Sequence, residues 1–343
     1  MTRAHTELAS HHIIVDGFKG PLFVVGMPRS GTKLLRDLLN QNPQIGLPVV
    51  ESHFIPYLVR RFPDPSVLKN PVDFARFYAE FTRTAFYINM ENLGRDLSKD
   101  ELLPVVRSGS WLQIFEFILR YYAPSNRARE FIWGDKSPGY VNHLRFLKQL
   151  FPKAKFIHMI RDPRDNCLSI RKTWGKNMFR AAERWRVTIG AARQARNRLG
   201  EESYKEIYFE DLLEDPELVM KDLCRYIGVQ YISAMTRLTS PSENLGDARG
   251  ALHIMKENKK KYNHQLSSMQ IKRIEEVVYP VMQETPYTFE YAQRYQPLGR
   301  LEKAWYKLTD GMNVLDFYFR QKGIRSGLVY LFLIYKKSSW RKA

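Results

Sequence analysis

Two segments of the chain combine glycine, hydroxyl and basic residues in patterns that suit anion binding. The first, residues 26–33, reads Gly-Met-Pro-Arg-Ser-Gly-Thr-Lys and follows an apolar, β-rich run at 21–27. Glycines permit a tight turn, and the free N–H groups at the start of the following helix attract an anion. Arg29, Ser30 and Thr32 add side-chain donors, which favours an anion site over an ordinary strand-to-helix turn.

This loop differs from the nucleoside-triphosphate motif G-x-x-x-x-G-K-[ST], because Thr32 precedes Lys33. In that motif the lysine reaches the β- and γ-phosphates and the next hydroxyl binds magnesium. Lys33 comes one position later, about 100° further round a helix. The loop therefore favours an anion site that needs no metal, and a kinase or NTPase acting on ATP and magnesium is kept as the alternative.

The second segment is the apolar run 155–160, which leads into Arg161, Asp162 and Pro163 and then a helical pattern containing Ser169. A guanidinium presents a planar fork of donors that matches phosphate oxygens. Ser169 lies two helical turns further on and adds a hydroxyl. We interpret Arg161 as a phosphate ligand in preference to a partner of Asp162.

The two segments resemble, in order, the phosphate motifs of sulfotransferases that use 3′-phosphoadenylyl sulfate (PAPS). Residues 28–32 with Leu34 and Leu35 look like the 5′-phosphosulfate loop, and 155–169 looks like the 3′-phosphate motif. Residues 135–138 and 209–217 extend the resemblance over roughly residues 20–230. It is strongest to the branch containing protein-tyrosine sulfotransferases and many bacterial enzymes, and it implies no metal requirement.

The resemblance also implies a set of residues around the donor. Lys33 stands where many relatives have a second threonine, and its role is left open; Arg164 is left open between a ligand and a surface charge. Tyr208 or Phe209 is expected beside the adenine, with Phe209 at the aligned position. The implied donor-binding residues are Arg29, Ser30, Gly31, Thr32, Lys33, Arg161, Ser169, Phe209 and Lys261.

Transfer of a sulfonate group needs positive charge on the developing anion and a base for the acceptor hydroxyl. By the resemblance, Arg29 and Lys136 provide the charge and Glu51 is the preferred base. A glutamate base must be shielded from water to raise its pKa toward neutrality. His53, two residues further on, is the competing candidate because histidine titrates near pH 7 without adjustment.

The surrounding pattern alternates strands with helices, which predicts an α/β fold with a three-layer parallel sheet. Strands are expected at 21–27, 131–133, 155–160 and 206–209, and helical patterns at 73–88 and 110–122. The resemblance implies the P-loop-NTPase-like sulfotransferase fold. We divide the chain into an N-terminal segment (1–19), a sulfotransferase domain (20–290) and a basic helical C-terminal extension (291–343).

Composition excludes several classes of protein. The 343 residues are 44% hydrophobic and 26% charged, which suits a globular domain with a real core. Two cysteines are too few for a disulfide scaffold, so a reducing cytoplasm is expected. The net charge of +18 would suit nucleic acid, but no recognition motif accompanies it. A nucleic-acid-binding protein is kept only as an alternative.

The C-terminal residues are more basic than the rest of the chain. Residues 298–343 carry ten Lys and Arg against three acids, and 326–343 contain an apolar run followed by basic residues. This pattern favours either peripheral contact with the inner face of a membrane or docking on the domain or a homodimer partner. The acceptor class stays open between a tyrosyl peptide, a carbohydrate or glycolipid, and a small alcohol or phenol.

Overall fold

A five-stranded parallel sheet forms the centre of the molecule. The computed structural model describes residues 17–107, 109–125, 127–324 and 328. The strands run in the order β2-β3-β1-β4-β5, and all pairings are parallel. Their bounds are Leu22–Gly26 (β1), Ile45–Gly46 (β2), Ile132–Lys136 (β3), Lys155–Ile160 (β4) and Tyr204–Tyr208 (β5).

Both faces of the sheet are covered, as expected for parallel strands rich in apolar residues. Phe23 and Val25 of β1 point into one core, and Leu22 and Val24 point into another on the opposite face. This alternation follows from the two-residue repeat of a strand. The predicted three-layer α/β fold is therefore confirmed.

Fourteen α-helices occur in the described parts of the chain, and most of them connect or cover strands. They are Thr32–Leu39 (α1), Ile55–Arg61 (α2), Pro71–Thr82 (α3), Ala85–Glu91 (α4), Lys99–Val106 (α5), Trp111–Tyr121 (α6), Leu144–Leu150 (α7), Pro163–Trp174 (α8), Met178–Leu199 (α9), Phe209–Glu214 (α10), Pro216–Ile227 (α11), Tyr262–Gln265 (α12), Ser268–Met282 (α13) and Arg300–Lys322 (α14).

Several predicted elements have different bounds in the structure. The helical pattern at 73–88 is two helices, because Thr84 caps a new helix by accepting a hydrogen bond from the Tyr87 N–H. The strand predicted at 131–133 extends to Lys136. The two-residue strand Ile45–Gly46 was not predicted, since so short a run has no periodicity to read.

The C-terminal extension contains α14, which packs against α8 and α9. The apolar and basic segment 326–343 lies outside the described residues except for Leu328, as does most of the N-terminal segment 1–19. The proposed domain bounds therefore stay predictions. Within the described residues, no helix combines the length and hydropathy needed to cross a membrane.

Candidate functional site

The loop between β1 and α1, residues 26–32, lies at the carboxyl edge of the sheet, where parallel α/β proteins bind ligands. Gly31 has a φ of 93° and precedes α1 as its N-cap. A Cβ at this position would lie 2.2 Å from the Phe209 ring, so Phe209 packs directly on the loop. The Ser30 hydroxyl is buried and donates to the Met27 carbonyl at 2.7 Å, which stabilises the turn.

Arg29 extends from this loop toward α8. Its Nε donates to the Ser169 hydroxyl at 3.3 Å, and its other nitrogens bond Glu243 at 2.9 Å and the Leu245 carbonyl at 2.9 Å. The Arg29 backbone has a φ of 69°, a left-handed conformation that is uncommon for arginine. The structure thus brings Arg29 beside Ser169, one of the residues predicted to bind the 3′-phosphate.

Arg161 emerges from the end of β4 and is buried against the same loop. It donates to the Arg29 carbonyl at 3.1 Å and to the Asn258 carbonyl at 2.9 Å. Its guanidinium lies 4.5 Å from the centre of the Phe209 ring. Its buried Nε has no hydrogen-bond partner, so the guanidinium keeps an unused donor.

These side chains line a common pocket, which is called the cavity below. Six of the predicted donor-binding residues, drawn from four parts of the chain, contribute to its wall. Tyr208, the alternative adenine neighbour, is not among its lining residues and accepts a hydrogen bond from Arg193 at 3.3 Å. The six residues are Arg29, Gly31, Arg161, Ser169, Phe209 and Lys261.

Two carboxylates from residues 242–261 contact cations of this cavity. Glu243 pairs with Arg29 at 2.9 Å, and Asp247 pairs with Lys261 at 2.5 Å and with Lys172 at 3.2 Å. Burial lowers the pKa of Lys261, and its hydrogen bond to Asp247 opposes that effect. Acidic side chains therefore balance the basic groups that would hold an anionic ligand.

A second cluster surrounds Glu51. Its Oε1 accepts a hydrogen bond from the Lys136 ammonium at 2.5 Å, and its Oε2 lies 2.7 Å from His53 Nε2. The Lys136 side chain is fully buried, whereas that of Glu51 is 33% exposed. Glu51 and His53, the competing base candidates, are thus partners of one another.

The partners of Glu51 set its electrostatics. Burial raises the pKa of the carboxyl, but attraction to Lys136 and the hydrogen bond from His53 outweigh it, and the net direction is downward. A general base near neutral pH needs a raised pKa, so in this state the neighbouring ammonium group acts against that requirement.

A buried hydrogen-bond network holds the segment between Glu51 and His53. The Ser52 hydroxyl donates to Asp135 at 2.8 Å and lies 2.7 Å from the Tyr140 hydroxyl. The Tyr140 hydroxyl in turn accepts from the Ile55 N–H at 3.2 Å. Asp135 therefore pairs with Ser52, and Lys136 pairs with Glu51, so Lys136 is not a surface lysine bound to Asp135.

Two further cations lie near Lys136. Burial lowers the pKa of Lys136, Glu51 opposes this, and the positive charges of Arg36 and Lys33 lower it further. Arg36 also donates to the Val49 carbonyl at 2.5 Å. This hydrogen bond links α1 to the segment between β2 and α2, just before Glu51. Lys33, whose role the sequence left open, thus lies within electrostatic range of the Glu51 cluster.

Arg164 has a structural environment that the sequence did not predict. It is buried and pairs with Asp162 at 2.7 Å and with Glu275 at 2.8 Å, so it is neither a ligand of the cavity nor a surface charge. Beside it, the Asp162 N–H donates to Glu210 at 3.1 Å. Burial raises the pKa of Glu210 to about 7, although a hydrogen bond from Tyr287 acts in the opposite direction.

Several residues of the site were not found by sequence reasoning. Asn258, Glu243 and Asp247 belong to a segment with little regular structure, and no motif marked them. Arg36 and Ser52 lie within a few residues of predicted positions, but nothing in their spacing indicates a contact. No cluster of three or more His, Cys, Asp or Glu that could hold a metal occurs in the part of the chain described.

The fold and the site define a parallel α/β protein with a glycine loop and a cavity lined by basic residues at the carboxyl edge of its sheet. A family model described as the sulfotransferase family matches residues 21–233. The chain therefore belongs to the sulfotransferase family.

The individual similarities are more distant. The chain is 30% identical over 156 residues to nodulation protein NoeE of Sinorhizobium fredii. This alignment covers 45% of this chain and 31% of NoeE. It is 24% identical over 217 residues to protein-tyrosine sulfotransferase A of Caenorhabditis elegans, covering 61% and 50% of the two chains. It spans half or less of the length of these two relatives.

Among solved structures, the sulfotransferase domain from the Synechococcus PCC 7002 olefin synthase is similar. The superposition has a TM-score of 0.47 with 20% sequence identity, and it covers 86% of this chain and 96% of that domain.

Proposed function

We propose that this protein transfers a sulfonate group from PAPS to a hydroxyl group of an acceptor, without a metal. The observation that carries the proposal is the pair of clusters at one edge of the sheet: the Arg29, Ser169 and Arg161 cavity, and the Glu51 and Lys136 ion pair. Membership of the sulfotransferase family supports the same reaction.

The cavity suits a nucleotide with a phosphate at each end. A phosphomonoester carries about two negative charges at neutral pH, which Arg161, Arg29 and Lys261 would balance. The unpartnered Nε of Arg161 provides a donor, and Ser169 adds a hydroxyl. Phe209 presents an apolar ring to the cavity, which suits an adenine base. The N–H groups of residues 31–33 would hold the 5′ end at the start of α1.

The Glu51 cluster provides what the chemical step requires. The oxygen of the acceptor hydroxyl forms a bond to sulfur while the bond between sulfur and the phosphate oxygen breaks. The acceptor proton passes to Glu51, and the negative charge that develops on the leaving phosphate is stabilised by Lys136, with Lys33 nearby. His53 orients the Glu51 carboxylate through its hydrogen bond.

The ion pair also suggests how the base is activated. Lys136 is the main group that lowers the pKa of Glu51 against the effect of burial. When Lys136 turns its ammonium group toward the sulfonate oxygens, that attraction weakens and the pKa of Glu51 rises. A stronger base would then be present only when the donor is bound, which limits wasteful transfer to water.

The proposal is tested by the thermal stability of the protein with the product PAP, or with ATP and magnesium. A ligand at about 100 times its Kd adds about 2.7 kcal/mol, or a few degrees in Tm. We expect a shift with PAP that chelators do not change. A shift with ATP and magnesium alone would contradict the proposal and favour a kinase or NTPase.

Arg161→Ala is expected to weaken PAP binding by about 30- to 150-fold, since a charge-assisted contact contributes about 2–3 kcal/mol. The measurement is the PAP-dependent shift in Tm relative to each variant's own ligand-free Tm, with Kd from titration calorimetry. Arg225→Ala, which removes an exposed arginine of α11, is the matched control. An unchanged Kd in Arg161→Ala would contradict the assignment.

Glu243→Gln is expected to have the opposite effect on PAP binding. Its carboxylate pairs with Arg29 and would compete with an anionic ligand, so removing the charge should tighten PAP binding by about 3- to 10-fold. Glu257→Gln, an exposed acid of the same segment, should leave Kd unchanged. Weaker PAP binding in Glu243→Gln would mean that Glu243 assists the ligand instead of competing with it.

A further inference from the structure

Helix α14 contacts the rest of the protein through polar side chains and through Tyr306, whose ring centre lies 6.1 Å from that of Phe179. Asp310 is buried, accepts a hydrogen bond from the Asn177 N–H at 2.7 Å and pairs with Arg180. One turn further on, the Asn313 amide donates to the Gly175 carbonyl at 2.6 Å. An amphipathic helix ordinarily buries its apolar face and exposes its polar face. The inner face of α14, by contrast, contains the buried acid Asp310.

The opposite face of α14 carries an exposed apolar stripe. Because a helix turns about 100° per residue, Leu301 and Asp310 point in opposite directions. The stripe residues are spaced four, three, four and three apart, which places them within about 40° of one line along the helix. Their exposed fractions range from 40% to 86%. They are Leu301, Trp305, Leu308, Met312 and Leu315.

Exposed apolar residues in a continuous line indicate a surface that another protein or a membrane covers. The charge of the neighbouring residues distinguishes between these two. Arg300 and Lys307 lie on the same helix, where Arg320 is paired with Asp316, and residues 325–343, which follow it in the sequence, include five Lys and Arg and no acid. Basic residues beside an apolar stripe are attracted to anionic lipid, and tryptophan suits the boundary between lipid and water.

We propose that the α14 stripe docks this protein on the surface of an anionic lipid bilayer, with the helix lying in the plane of that surface. A second copy of the chain fits less well. The stripe covers two heptads, whereas stable helix pairing usually needs three or four. Excess positive charge would also repel a second copy but attract anionic lipid. The proposal does not depend on the proposed reaction.

The test uses the full chain and sedimentation with phosphatidylcholine vesicles, with and without phosphatidylglycerol. Wild-type protein should sediment with the anionic vesicles only, and less at high salt. Trp305→Glu combined with Leu308→Glu should lower the partition constant at least tenfold, because it places two negative charges in the stripe. The matched control is Leu218→Glu with Met269→Glu, two exposed apolar residues on other helices.

Three results would overturn the proposal. The first is failure of the wild-type protein to bind anionic vesicles. The second is equal binding by the Trp305 and Leu308 double variant, which would assign lipid contact to another part of the chain. The third is a dimer in analytical ultracentrifugation that dissociates in the double variant, which would mean that a second copy covers the stripe. Both double variants should keep a cooperative thermal unfolding transition near the wild-type Tm in the absence of any ligand, which shows that they are folded.

Discussion

Replacing Glu51 by glutamine is expected to lower kcat by about 10²- to 10⁴-fold, the range for removal of a general base. Glutamine preserves the size of the side chain but cannot accept the acceptor proton. Turnover is measured as PAP released from PAPS, with whichever of an acidic tyrosyl peptide, an oligosaccharide or a phenol the wild-type protein uses. The acidic limb of the pH profile of kcat/KM should disappear with the carboxyl group.

His53→Gln is the matched variant, because His53 is the hydrogen-bond partner of Glu51. If His53 only orients the carboxylate, its replacement should cost less than about tenfold in kcat and leave the acidic limb in place. A larger loss in His53→Gln than in Glu51→Gln would instead identify His53 as the base. PAP binding should be the same in both variants.

Lys136→Met is expected to lower kcat by about 10²- to 10³-fold, the usual cost of removing one group that stabilises a developing negative charge. Methionine fills most of the buried volume but carries no charge. Loss of the ammonium group also removes the main attraction that lowers the pKa of Glu51. That pKa should therefore rise, and the acidic limb of the pH profile in the variant should shift to higher pH.

Lys148→Met provides the control for Lys136, since Lys148 is a partly buried lysine that donates to the Ala154 carbonyl and the Ser203 hydroxyl. This variant should change stability but not kcat. Lys136→Met should keep its PAP-dependent shift in Tm. A full-rate Lys136→Met enzyme, or one whose pH profile moves to lower pH, would contradict the role of Lys136.

The glycine loop and the Arg161 segment were predictable because their structure is local. Each is a buried strand followed by a turn and the start of a helix. The residue pattern of such a unit can be recognised within about twenty residues of sequence. The rules for parallel sheets then bring the carboxyl ends of the strands to one edge. Arg161 and the residue 26–32 loop are accordingly in contact, with Arg161 bonded to the Arg29 carbonyl.

The orientation of Arg29 could not be predicted in the same way. The resemblance implies that it stabilises charge beside Lys136, yet in the structure it bonds Ser169 and Glu243. Glu243 is more than two hundred residues away in a segment without periodicity, and no local rule positions such a segment. The charge-stabilising role of Arg29 beside Lys136 therefore stays a prediction.

The pairing of Glu51 with Lys136 depends on long-range packing. Their side chains are 85 positions apart in sequence and 2.5 Å apart in space, because the buried network of Ser52, Asp135 and Tyr140 brings the two segments together. Electrostatics follow from such contacts, so the direction of the Glu51 pKa was inaccessible before the ion pair was known. Residue type alone indicated the candidates but not their charge state.

By itself, then, the sequence determined the α/β class, the two basic strand-to-helix segments and the basic character of the C-terminus, since strand and helix patterns and loop composition are properties of neighbouring residues. Tertiary structure alone decided three other features: the ion pair at Glu51, the carboxylates on the cavity cations, and the outward direction of the α14 stripe. Each depends on contacts between distant segments, and packing sets those contacts through the whole fold rather than through any local pattern.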